Sequence, residues 1–139
     1  MNRNSLSKLK LQLVNDREII WEIPLSISEW VKEDLETEID GIERELDSFS
    51  NIFEALKNQN RMRMLCSLIE DKNHTLNFTD FIEKFSMNPK LVRENVLKLY
   101  YVGLVDKPGR GEYRLTKKGQ YCFMMINLTL KKILDSIDR

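Results

Sequence analysis

The pair Asn88-Pro89 constrains this chain more than any other feature. Asparagine is a favoured N-cap, and proline suits the first helical position, where its missing N–H is not needed. The spacing therefore predicts a helix that starts at Pro89, runs to about Tyr101 and stops at Gly103. Ser86-Met87-Asn88 is a tight turn before it, and Thr79–Phe85 reads as a short helix before the turn. After Gly103, Leu104–Lys107 and Glu112–Leu115 read as two strands joined by Pro108-Gly109-Arg110-Gly111. Helix, turn, helix, then hairpin is a restrictive order. It predicts a helix-turn-helix with a β wing, in which the second helix meets base edges and the first braces it.

The flanking segments complete this arrangement. Ile52, Phe53 and Leu56 mark a short helix, and Arg61–Glu70 a second, with Met62, Leu65, Cys66 and Ile69 on one stripe. Asp71–His74 is a loop, and Leu76-Asn77-Phe78 a very short strand. Thr116 is expected to cap a last helix to about Asp138, in which Ile126, Leu130, Ile133 and Ile137 repeat at 4-3-4 spacing. Upstream, Lys8–Leu13 alternates with period two and Ile19–Ile23 follows a polar turn, which predicts a β-hairpin ended by Pro24. Ser26 and Glu29 form a capping-box signature for a helix to about Asp47, with a break over Asp47–Ser50. Its apolar residues Leu35, Ile39, Ile42 and Leu46, continued by Phe49 and Phe53, follow a heptad seam. Gly41 lies within that pattern as a point where the helix could bend.

The expected fold class is mainly α with a small β component (α+β). The expected division is an N-terminal β-hairpin at 1–27, an acidic heptad helix at 28–50, a winged helix-turn-helix domain at 51–119 and a C-terminal helix at 120–139. The heptad residues Leu35, Ile39, Ile42 and Leu46, with Ile126, Leu130, Ile133 and Ile137, are the candidate homodimer contacts.

Charge points to the partner. The chain is neutral overall, but residues 1–50 hold 6 Lys/Arg against 12 Asp/Glu, and residues 51–139 hold 16 against 10. A basic half beside an acidic one suits a polyanion bound on one side. In the helix at 89–101, Val92, Val96 and Leu99 cluster on one face at 100° per residue and are the expected buried stripe. Lys90, Arg93 and Glu94 then face the opposite way, in the turns where base contact occurs. Asn88, Lys90, Leu91, Arg93 and Glu94 are the candidate major-groove residues; Lys107, Arg110, Arg114, Lys117 and Lys118 are candidates for the backbone or minor groove. Leu97 and Tyr101 lie on that same outer face and are expected to pack on the hairpin or on a partner chain.

Other chemistry finds little support. Cys66 and Cys122 lie in apolar helical patterns and read as core residues of a reduced, cytoplasmic protein. His74 is the only histidine and reads as a loop residue, so no metal site is expected. Phe123-Met124-Met125 reads as packing, and the acidic run from Glu33 to Asp47 as a solvated face. No glycine loop or nucleophile arrangement is present, so no catalysis and no cofactor are expected. No signal peptide or membrane span is expected, and a small-molecule effector is left unknown, a sensor pocket near Phe123, Met124 and Trp21 at a dimer interface ranking below DNA binding.

Residues Asn51–Gly119 resemble the ArsR-like winged helix-turn-helix regulators of the archaeal type. The resemblance is carried by Ala55-Leu56 with Arg61-Met62-Arg63-Met64-Leu65, by Asn88-Pro89-Lys90-Leu91-Val92-Arg93-Glu94-Asn95-Val96, by Tyr101-Val102-Gly103-Leu104-Val105, and by Gly111-Glu112-Tyr113-Arg114-Leu115-Thr116-Lys117-Lys118-Gly119. It implies a homodimeric regulator bound to a pseudo-palindromic site on double-stranded DNA. The paired cysteines of metal-sensing members are absent from Thr79–Phe85. The competing reading is a winged-helix protein-interaction module without DNA specificity of its own.

Overall fold

The computed structural model describes residues 8–138. The first seven residues of the expected 1–27 hairpin region, and Arg139, lie outside the described residues. The chain divides into two compact units: one up to Leu46 together with the residues from Asp135, the other Asp47–Leu134.

The N-terminal unit opens with β1 (Lys10–Asn15) and β2 (Glu18–Pro24), paired antiparallel. Asp16 takes φ 55° in the two-residue turn between them, a left-handed conformation that Asp tolerates better than most side chains. The register pairs Leu11 with Ile23 and Leu13 with Trp21, so these four share one face of the ribbon. Lys10, Gln12 and Glu22 share the other, where Glu22 accepts from Gln12 Nε2 at 2.6 Å and meets Lys10 Nζ at 3.0 Å. Both contacts hold the Glu22 carboxyl below its ordinary pKa, the Gln12 hydrogen bond most.

The expected capping box does not start the next helix. Ser26 makes no capping bond, its Oγ lies 2.9 Å from Ser28 Oγ, and Ile27–Glu29 forms a single 3₁₀ turn. Trp30 and Val31 are extended, and Trp30 Nε1 donates to the Pro24 carbonyl at 2.8 Å. That indole bond ties the turn back to the hairpin, so α1 starts only at Lys32 and runs to Arg44. The break comes at Glu45 rather than over Asp47–Ser50, which lie inside α2 (Leu46–Leu56).

The second unit is a helical bundle edged by a small sheet. It comprises α2 from Asp47, α3 (Gln59–Glu70), β3 (Thr75–Asn77), α4 (Phe78–Phe85), α5 (Pro89–Tyr101), β4 (Val105–Asp106), β5 (Glu112–Leu115), α6 (Lys117–Phe123) and most of α7 (Leu130–Ile137). A π-helical segment, Met124–Thr129, joins the last two. The strand order is β3-β5-β4, all antiparallel, with Leu76 opposite Tyr113 and Val105 opposite Leu115. Met64, Leu65, Leu68, Phe81, Val92, Val96, Leu99 and Leu104 are fully buried and form the core, closed by Tyr113 and Leu76. On α3 the buried residues are Arg61, Met64, Leu65, Ser67 and Leu68; of the expected Met62, Leu65, Cys66 and Ile69 stripe only Leu65 is buried, and the other three are half-buried.

Two glycines hold the wing to the bundle. Gly103 ends α5 at φ 81°, which a side chain resists. Gly119 lies so close to the wing that a Cβ there would sit 2.1 Å from the Leu104 carbonyl oxygen. Thr116 completes the joint: its hydroxyl donates to the Gly103 carbonyl at 2.6 Å and accepts from Gly119 N at 2.9 Å.

Candidate nucleic-acid interface

The exposed face of α5 is set by what anchors its other face. Asn88 Oδ1 accepts from Leu91 N at 2.8 Å, capping the helix as its sequence predicts. Val92, Val96 and Leu99 are fully buried. Lys90, Leu91, Arg93 and Glu94 are consequently exposed along the first turns. The preceding helix α4 is capped by Asn77 and Asp80, each side chain bonded to the other's backbone amide, at 2.8 and 2.9 Å. Ser86, at φ 49°, turns the chain from α4 into the loop before α5.

A buried polar joint holds α5 in place. Arg61 is 4% exposed. Its Nε donates to the Ala55 carbonyl at 2.7 Å, Nη2 to the Glu54 carbonyl at 2.9 Å and Nη1 to Asn95 Oδ1 at 2.9 Å. The two carbonyls are the open C-terminal end of α2, which a cation suits. Asn95 Nδ2 in turn donates to Leu91 O at 3.0 Å, within α5. Burial pulls the guanidinium pKa down, and the nearby Glu54 charge opposes this. Neither residue was singled out as functional from the sequence alone. The available signal was Asn95 itself, a polar side chain three residues from Val92 and so on the buried stripe.

The wing stands beside the exposed face. Phe78, Arg93, Leu97, Lys107, Arg110, Gly111 and Tyr113 line a cleft of about 430 Å³ between α5 and the wing. The Arg93 guanidinium lies 5.9 Å from the Phe78 ring centre. Lys107 Nζ lies 4.7 Å from the Tyr100 ring centre and 5.8 Å from that of Tyr113. Leu97 is half-buried and faces this cleft, so its neighbours include the wing. Tyr101 is 76% exposed and packs edge-on against Tyr100.

The remaining candidate cations are placed elsewhere. Arg114 Nη2 meets Asp106 Oδ2 at 3.0 Å across the wing strands. Lys117 is exposed in the first turn of α6. Lys118 lies along Gly103, past the C-terminal end of α5, where a cation complements the helix carbonyls. Of the wing-side set, then, the fold brings Lys107 and Arg110 to Arg93, and takes Arg114 and Lys118 into contacts of their own.

The apolar repeat residues separate as well. In the N-terminal unit Ile39, Ile42 and Leu46 are 44%, 49% and 50% exposed, and Leu35 is half-buried. Trp21, Ile23, Trp30, Leu35, Ile39 and Ile42 border an open groove of about 740 Å³ between the hairpin and α1. Ile126 is half-buried against the core of the second unit. Leu130 and Ile137 are exposed, and Ile133 is half-buried. The π-helical segment shifts the helical phase between Phe123 and Leu130, so the 4-3-4 spacing does not keep Ile126 on one stripe with the residues after it. Among the described residues no group of three or more His, Cys, Asp or Glu side chains converges as metal ligands, and no helix is long and apolar enough to cross a membrane.

This architecture is a winged helix. A MarR-family transcriptional regulator from Streptomyces coelicolor shares it at a TM-score of 0.52 and 19% identity, over 76% of this chain and 78% of that one. The transcriptional repressor BigR from Xylella fastidiosa aligns at a TM-score of 0.48 and 16% identity, over 70% of this chain and 97% of that one. BpsR from Bordetella bronchiseptica, whose DNA binding is regulated by 6-hydroxynicotinic acid, aligns at 0.47 and 19%, over 82% and 84%. No protein-family model and no curated protein matches the sequence.

Proposed function

We propose that this chain is a sequence-specific, double-stranded-DNA-binding transcriptional regulator of ArsR-like, archaeal type, cytoplasmic and non-enzymatic, that acts as a homodimer. One observation carries the reading: α5 has one face locked into the core while Lys90, Leu91, Arg93 and Glu94 stand free on the other, beside a basic wing. That is what a helix needs to enter a major groove while the wing meets the backbone or the minor groove. Asn88 and the wing residues Arg114, Lys117 and Lys118 are proposed as further phosphate contacts, with Arg114 exchanging Asp106 for DNA.

The homodimer is supported by the exposed repeat residues Ile39, Ile42, Leu46, Leu130 and Ile137, with Leu35 and Ile133 half-buried in the same repeats. A second copy would cover them and set two recognition helices about 34–36 Å apart, one DNA turn.

Selection of bound duplexes from a random pool tests both parts at once. A two-fold symmetric motif is the expected result. Exposed Leu91 and Tyr101 favour one competitor, a protein-docking module. Recovery of no enriched motif, with no duplex retained at micromolar protein, would favour that module instead.

A further inference from the structure

We propose that the cleft between α5 and the wing seats one DNA backbone phosphate, and that Arg93 belongs to this seat and reads no base. The inference rests on the DNA-binding reading and divides the labour within it. Arg93, Lys107 and Arg110 come from separate points of the chain, yet all line one recess of about 430 Å³ floored by Phe78, Leu97 and Tyr113. Among the described residues none of the three forms an ion pair, whereas the neighbouring Arg114 is neutralised by Asp106 at 3.0 Å. Three cations that line one recess, none of them ion-paired, repel one another, and a bound anion relieves that repulsion.

The aromatic rings hold the cations without neutralising them. Arg93 lies over Phe78, and Lys107 over Tyr100 and Tyr113. Each such contact attracts the cation to the ring face, enough to bias a rotamer. Arg93 is thereby drawn towards the foot of α4 and the wing, leaving Lys90, Leu91 and Glu94 as the groove-facing residues of the first turns. The geometry of a duplex agrees. A helix in the major groove and a wing in the adjacent minor groove are separated by one sugar-phosphate strand, and the recess between them faces that strand. A phosphate contact of this kind positions the protein without reading sequence.

The test uses the full chain, a duplex selected from a random pool, and a scrambled duplex of the same length. Affinity is measured across a salt series. Arg93→Gln, Lys107→Gln and Arg110→Gln are each expected to reduce the steepness of log K against log salt by about 0.9, the release expected for one phosphate contact. Each should weaken both duplexes by the same factor, and Arg93→Lys should restore the slope. Lys90→Ala should instead reduce the ratio between the two duplexes. A single uncharged methylphosphonate linkage, moved along the backbone, should weaken wild type sharply at one position and have no added effect there in Arg93→Gln. All three cations are exposed, and an unchanged thermal midpoint checks that each variant is folded. An Arg93→Gln variant with unchanged slope and lost discrimination would make Arg93 a base reader and overturn the phosphate seat while DNA binding stands. Absence of duplex binding by wild type would overturn the DNA-binding reading, and the seat with it.

Discussion

The two units of this chain use apolar residues in opposite ways. In the winged helix Met64, Leu65, Phe81, Val92 and Val96 are 0% exposed. In the N-terminal unit, Ile20, Val31 and Ile27 are 55%, 61% and 77% exposed, and no described residue up to Leu46 is buried. The difference lies in closure rather than hydrophobicity. Four helices, α2 to α5, with a small sheet surround a centre from several sides. A two-stranded ribbon and one helix cannot, and an isolated hairpin is marginal in water. The winged helix accordingly has a closed core of its own, and the N-terminal unit carries an exposed apolar face, the one the proposed homodimer would cover.

The largest expected effect tests that contrast directly. Phe81→Ala should cost ~3–5 kcal/mol in denaturant unfolding, because the site is closed and cannot collapse. Ile42→Ala, measured where the chain is dilute and monomeric, should stay within about 0.5 kcal/mol, as a substitution at a solvent-facing site does. Equal costs at the two sites would break the comparison.

Arg61→Ala should rank next, at ~1.5–3 kcal/mol, because it strands Asn95 Oδ1 and two helix-terminal carbonyls. Amide exchange should speed up along α5 more than along α4. Uniform acceleration across the unit would show that Arg61 has no special hold on α5.

A double substitution, Ile39→Glu with Ile42→Glu, should raise the dimer dissociation constant at least about tenfold, or ~1.4 kcal/mol, in sedimentation. The unfolding midpoint of the winged helix should not change. An unaltered association constant would remove the heptad helix from the interface.

The smallest effect concerns the loop between α3 and β3. Asp71 Oδ2 accepts from Asn73 N at 3.0 Å and from Thr75 N at 3.2 Å, and the Thr75 bond, then the Asn73 bond, lowers its pKa. A carboxyl whose folded pKa is depressed contributes stability that is present above its unfolded pKa, about 3.9, and is lost as pH falls through the lower folded value. Wild type should exceed Asp71→Ala in stability by a constant margin above about pH 4, and the margin should close below it. A margin that widened in acid would reverse the assignment.

Much of the winged helix was legible because its signals are local. Asn88-Pro89 starts α5 in any context, Gly103 stops it, and a 3.6-residue period marks Val92, Val96 and Leu99 as its inner face. The misread elements were those in which a distant group competes with a local signal. Ser26 and Glu29 have the chemistry of a capping box, but the Trp30 indole binds the Pro24 carbonyl and the helix starts later. The spacing of Ile126, Leu130, Ile133 and Ile137 assumes an unbroken α-helical phase, and the π-helical segment removes it. On α3, periodicity allowed neighbouring stripes, and only the packed neighbours select Met64 and Leu68.

The same division applies to Asn88-Pro89 and the cleft beside it. Sequence alone determined that a capped helix begins here and that Lys90, Arg93 and Glu94 face away from its apolar side, because capping and helical period act within a few residues. Tertiary structure decided that Arg93 lines one cleft with Lys107 and Arg110 while Arg114 turns to Asp106. Side chains so far apart in the chain become neighbours only when the wing packs against the end of α5, and that approach depends on the space left by Gly119.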